Sequence, residues 1–164
     1  MSDQRRFTPV ALPPFCTLID EHGPLLWRYV ASVAGPVDGA DLYQETLIAA
    51  LRSYPSLRDA SNLRSWLMTI AYNKVIDRAR AAARQPVPVG AVTEDARTVA
   101  PAAEPDEDLW SAVRQLPEKQ RSSVVYRFVD DLPYADIGRI VGCSEAAARQ
   151  NVRAGLARLR EELA

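Results

Sequence analysis

Tyr134-Ala-Asp-Ile-Gly-Arg-Ile-Val141, then Gly142-Cys143, then Ser144-Glu-Ala-Ala-Ala-Arg149-Gln150-Asn151-Val152-Arg153 and onward to Arg160: this stretch decides how the chain is read. A short apolar helix is followed by a Gly-containing turn. Ser144 then stands where an N-cap belongs and opens a longer, basic helix. That order is the helix-turn-helix layout. Ile137 and Val141 face inward from the first helix. Ala148, Val152, Leu156 and Leu159 fall at three- and four-residue steps and form the inner stripe of the second. Arg149, Gln150 and Arg153 are left on its outer side. Arg and Gln are side chains that bond base edges bidentately in a major groove. A helical hairpin with a merely solvated charged face shares most of this pattern, so the rest of the chain has to decide.

The chain has 164 residues, 48% of them apolar, which suits one medium domain or two small ones. Its net charge of −1 does not announce nucleic acid. The distribution says more. Residues 64–84 carry five bases against Asp77 alone, a net +4, and residues 144–160 carry four against Glu145, a net +3. Residues 86–108 carry six acids against Arg97, a net −5. Two basic helices therefore flank an acidic joint. Cys16 and Cys143 are far apart with no CxxC spacing, so neither a zinc site nor a disulfide framework is expected. His22 is the only histidine. No catalytic constellation can be assembled around it, and no cofactor or metal is expected. The start of the chain lacks the apolar core of a signal peptide, and no apolar run is long enough for a membrane span. A cytoplasmic protein without membrane insertion is expected.

Working outward, residues 1–14 read as a polar arm. Phe15, Leu18, Ile19, Leu25, Leu26, Tyr29, Val30 and Val33 recur at helical spacing, interrupted by Gly23-Pro24, which predicts two short helices or one bent one. Asp38 reads as an N-cap with Asp41 three residues on, opening a helix Gly39–Ser53 whose apolar stripe is Leu42, Leu47, Ala50, Leu51 and Tyr54. Pro55 stops it. Ser61 or Asn62 caps the next helix, Leu63–Arg84. Leu63, Trp66, Leu67, Ile70, Ala71 and Val75 face in, and Arg64, Tyr72, Asn73, Lys74, Arg78 and Arg80 face out. Gln85–Pro105, rich in Pro, Ala and acids, reads as a linker. Beyond it come a short helix with Leu109, Trp110, Val113 and Leu116, then Glu118–Val129 with Val124, Val125, Phe128 and Val129 apolar. An Asp130–Pro133 turn leads into the helix-turn-helix. The expected fold is all-α: two small helical domains, 15–84 and 106–164, joined by a flexible linker, 85–105.

Four stretches resemble one family. Asp41-Leu-Tyr-Gln-Glu-Thr46 is similar to a D-x-x-Q-E segment. Asn62-Leu-Arg-Ser-Trp-Leu-Met-Thr-Ile-Ala-Tyr-Asn73 is similar to an S-x-L-R-x-W-L-x-x-I-A-x-N run, the most specific match. Leu116-Pro-Glu-Lys-Gln-Arg121 resembles an L-P-x-x-x-R start, and Asp130–Val141 resembles G-L-S-Y-x-E-I-A-x-x-L-G. These are patterns of the sigma-70 family of bacterial RNA polymerase initiation factors, in its extracytoplasmic-function (ECF) group. The resemblance covers residues 15–84 as sigma region 2 and 106–163 as region 4.

The resemblance implies a protein that binds core polymerase and directs promoter-specific initiation. Asp41, Gln44 and Glu45 would dock on the clamp helices of the largest subunit, and the flap would hold the second domain. Arg58, Ser61, Asn62, Arg64, Asn73, Lys74 and Arg78 would hold the opened −10 strand. Ser144, Arg149, Gln150 and Arg153 would read the −35 element. An anti-sigma factor is a partner common in the group. The family often reads G-T-V-K-S-R-L after the turn, where this chain has Ala146-Ala-Ala-Arg-Gln-Asn-Val152, which implies a −35 preference of its own. Two other functions fit the residues: a DNA-binding regulator without initiation activity, using 15–84 to dimerise, and a sigma-like adaptor to polymerase or an anti-sigma partner. An enzyme is the weakest class.

Overall fold

The computed structural model describes residues 11–84 and 107–164. These form seven α-helices: α1 Phe15–Ala34, α2 Pro36–Ser53, α3 Leu63–Arg84, α4 Glu107–Gln115, α5 Glu118–Phe128, α6 Tyr134–Val141 and α7 Glu145–Glu162, with a 3₁₀ turn at Tyr54–Ser56. No strand occurs among the described residues. The all-α expectation holds, with α1–α3 in one unit and α4–α7 in the other. The expected arm falls largely, and the expected linker entirely, outside the described residues.

One element start differs from the sequence reading. Of the two forms expected around Gly23-Pro24, two short helices or one bent one, a single helix is found: α1 is continuous with Pro24 inside it. Proline removes the bond to the carbonyl of Asp20. Both residues lie on the exposed face, where water can satisfy that carbonyl. The second helix begins at Pro36, not at Gly39, and Asp38 is not its cap. Pro at the first position lacks the N–H that would go unused there and presets φ for the helix. Asp38 instead lies in the first turn, where a carboxylate meets the positive end of the helix dipole. For α3 the cap is Asn62, whose Oδ1 accepts from the Ser65 N–H at 2.9 Å.

Leu26, Val30, Val33, Leu42, Leu67 and Ala71 are buried in the first unit, and Val125, Leu132, Ile137, Ala148 and Val152 in the second. The apolar cluster runs on from one unit into the other. Tyr29 of α1 stacks on Tyr126 of α5, with ring centroids 4.2 Å apart. The Tyr29 and Ser122 hydroxyls are 2.9 Å apart, and Tyr126 Oη donates to the Met68 carbonyl on α3 at 3.2 Å. Arg121 donates to the Val33 carbonyl at the end of α1, at 3.1 Å. Burial pushes the phenol pKa of both Tyr29 and Tyr126 upward, with the Ser122 contact opposing it at Tyr29, so both stay neutral.

This packing corrects three facings. Tyr72, expected outside, is buried, because the second unit covers that side of α3. Phe128 and Leu51, expected inside, are 61% and 55% exposed. Each lies at the edge of a helical stripe whose remaining members already fill the available core.

Candidate nucleic-acid interface

The helix-turn-helix is built by α6 and α7. Gly142 closes α6 in the left-handed region at φ +69°, where a side chain would be strained. Gly138 lets the turn fold back onto α6: a Cβ there would stand 2.7 Å from the Cys143 carbonyl oxygen. The Cys143 N–H donates to the Gly138 carbonyl at 2.8 Å. Ser144 caps α7 as expected, its Oγ accepting from the Ala147 N–H at 3.1 Å. Ile137, Val141, Ala148, Val152 and Leu159 are buried, so this hairpin has one inner side, and Leu156 is half-buried at its edge.

Ser144, Arg149, Gln150 and Arg153 are all exposed on α7. Their spacing places Arg149 and Arg153 one turn apart, with Gln150 beside them. Arg149 is held in place rather than loose. Its guanidinium pairs with the Glu145 carboxylate and lies 5.3 Å from the centre of the Tyr134 ring. Arg127 lies 5.1 Å from the same ring and reaches the Leu132 carbonyl at 3.3 Å. Sequence reasoning missed Tyr134, Arg127 and Glu145 as neighbours of the reading face. Only the i,i+4 spacing of Glu145 and Arg149 could have signalled one of them.

The −10 candidates are spread along the loop and α3. Arg58 and Ser61 are exposed on the loop. The Ser61 N–H and side chain hold the Asp59 carboxylate below its usual pKa, with the backbone bond at 2.8 Å. Asn62 is engaged as the α3 cap. Arg64 is half-buried and already paired: its Nη2 lies 3.1 Å from Asp136 Oδ2 on α6. Asn73 is exposed at a cleft of ≈ 480 Å³ between α3 and the second unit, which Glu118 and Val141 also line. Lys74 is half-buried. Arg78 is drawn to the other side of the first unit, where it bonds the Asp38 carbonyl at 3.0 Å and lies 3.5 Å from Asp41. The structure thus brings Ser61, Asn62 and Arg64 together at the start of α3 and separates Arg78 from them.

Asp41, Gln44 and Glu45 share an exposed face of α2. Ile48 and Leu51, each more than half exposed, continue that face toward the end of the helix. The sequence reading passed over Ile48. Its spacing of three from Glu45 and four from Gln44 is the signal that places it there.

The description "Sigma-70 region 2" matches residues 18–85, and "Sigma-70, region 4" matches residues 106–159. The chain is 33% identical over 165 residues to the RNA polymerase sigma factor CarQ of Myxococcus xanthus, covering 96% of this chain and 94% of that one. The chain belongs to the sigma-70 family of RNA polymerase sigma factors. This sigma factor is also 29% identical over 166 residues to the ECF sigma factor SigE of Mycolicibacterium smegmatis, covering 94% of this chain but 63% of that longer protein. The sigma factor RpoE of Bartonella quintana, solved in complex with the anti-sigma factor NepR, superposes with a TM-score of 0.77 at 26% identity. That match covers 93% of this chain and 98% of RpoE. Family membership makes the chain a transcription initiation factor of the ECF group, which joins core polymerase and directs it to promoter DNA. No helix among the described residues is long and apolar enough to cross a membrane.

Proposed function

We propose that this sigma factor reads its −35 element with Ser144, Arg149, Gln150 and Arg153 in a major groove. We further propose that it holds the opened −10 strand with Arg58, Ser61, Asn62, Arg64, Asn73 and Lys74, Arg78 being engaged by Asp38 and Asp41 on α2. Asp41, Gln44 and Glu45 dock on a basic surface of core polymerase, with Ile48 and Leu51 adding apolar contact. The observation that carries the reading is α7 itself. Its inner face is closed by Ala148, Val152 and Leu159, so the two arginines and the glutamine have only the outer face to occupy. An exposed Arg-Gln-Arg set on the second helix of a capped helix-turn-helix matches the donors that guanine and adenine edges accept. The protein acts in the cytoplasm and makes or breaks no bond itself. An anti-sigma factor is its regulatory partner, a reading supported by the Bartonella quintana sigma factor having been solved with one.

Run-off transcription with core enzyme on a library of genomic promoter fragments tests this. Initiation at a defined subset of promoters is expected, with output lost when Arg149 and Arg153 are both changed to Ala. Undiminished output from that double variant would remove the groove-contact account.

A further inference from the structure

Arg64 and Asp136 touch across the two units. If Arg64 serves the −10 element and α7 the −35 element, their targets lie ~25 base pairs apart, about 85 Å along B-form DNA. The 18-residue α7 follows directly on the helix that holds Asp136 and is itself only ~27 Å long. The two reading surfaces cannot reach both targets while this contact stands. The arrangement described here is therefore closed to a complete promoter, and the residues in the seam show what keeps it closed.

Two charged pairs accompany the Tyr29–Tyr126 stack and its hydrogen bonds. Arg64 bonds Asp136 at 3.1 Å, and Arg139 holds the other oxygen of that carboxylate at 3.0 Å. Arg28 of α1 approaches Asp130, whose side chain is fully buried, at 3.5 Å. Neither Asp130 oxygen accepts a hydrogen bond from the described residues. An unsatisfied buried carboxylate is a costly group to retain in an interface. Separating the units would return it to water. We propose that the seam is an autoinhibitory latch in which Arg64–Asp136 holds the −35 unit against the −10 helix while the buried Asp130 carboxylate, offset by Arg28, loads it toward opening, so that Arg64 exchanges Asp136 for promoter DNA when the units part. This rests on the −10 assignment of Arg64 made above.

Several features agree. The groups facing Asp130 are Arg28 from α1, Arg64 from α3 and the neutral Tyr126 from α5, while neighbouring Asp131 pairs with Arg127. Burial raises the Asp130 pKa to about 7, with Arg28 and then Arg64 opposing. The latch is thus poised: its carboxylate is held near its titration point rather than deeply stabilised. The cleft where Asn73 emerges also has Glu118 in its lining, an acid beside a site meant for a polyanion.

The test uses the full chain. Small-angle scattering and circular dichroism are recorded at pH 7.5 for wild type, Arg28→Glu and Arg28→Glu with Asp130→Asn. Arg28→Glu places two carboxylates together and should raise the radius of gyration roughly 1.3-fold over the ~15 Å of a compact chain of this length, with helicity kept. Removing the second charge in the double variant should restore the wild-type radius. An Arg28→Glu protein as compact as wild type, or a double variant as expanded as the single one, overturns the latch. If the single variant loses helicity, Arg28→Ala replaces it with the same criterion. Scattering needs neither polymerase nor DNA, so it is independent of the promoter reading. Failure to initiate with core enzyme removes that reading and leaves the scattering result standing, and the reverse also holds.

Discussion

Arg149 is claimed twice in the free protein, by the Glu145 carboxylate and by the face of Tyr134. A base edge must compete with both. The cation–ring contact is worth roughly 0.5–1 kcal/mol at an exposed site, and an exposed ion pair about as little. A correct guanine, worth ~1–3 kcal/mol of discrimination, can displace them where a wrong base cannot. Changing Arg149→Ala should therefore cost about 1–3 kcal/mol of discrimination at one base pair of the −35 element, read by competition binding against singly substituted promoters. Glu145→Gln should do the opposite. With Arg149 freed, binding to non-cognate DNA should strengthen severalfold and preference should flatten, measured by titration at two salt concentrations. Unchanged non-cognate binding would mean that Glu145 places no toll on the groove contact. Arg149 and Gln150 could be picked out from the chain alone because chemistry and helix period agree on them. Tyr134 could not, since a Tyr opening a short helix has no partner until α7 folds against it.

At the scale of elements, the turn between α6 and α7 depends on backbone chemistry that the sequence displays openly. Gly142 takes a left-handed conformation, and Ser144 satisfies the Ala147 N–H. Ser144→Ala should lower the stability of the second unit by about 1 kcal/mol in urea denaturation, since capping substitutions of this kind cost that much. Retained stability would show that Glu145 or water replaces the cap. α3 shows the other case. Its bounds match the period of its apolar residues, yet that period places Tyr72 outside and the structure buries it. A helix covered on one side carries a single apolar stripe. α3 is covered by α1 and α2 on one side and by α6 on another, so Ser65, Met68 and Tyr72 are buried too. A partly polar second stripe reads as surface when the element covering it is unknown.

Over the whole molecule, closure responds to pH through Asp130. Its pKa is raised from 3.8 to about 7 in the closed form. Between those values the closed form keeps a proton that the open form has released. Raising the pH across that interval therefore weakens closure, by up to about tenfold per unit, and above about 7 the effect levels off. Scattering at pH 6 and pH 8 should show the more compact chain at pH 6. Asp130→Asn should abolish the difference and stay compact at pH 8. An equal radius for wild type at both values would show that water reaches the carboxylate in the closed form.

The chain by itself determined the helices, the turn and cap of α7, the arginines outside it and the two-part, all-α architecture. These depend on residues at most a few turns apart, where period and capping act directly on the backbone. Only the tertiary structure decided how the two units meet. Tyr29 and Ser122 are 93 positions apart, and Arg64 and Asp136 are 72 apart. Nothing local marks one charged helix residue as a latch and another as solvated surface. The difference lies in whether another element removes the water around it.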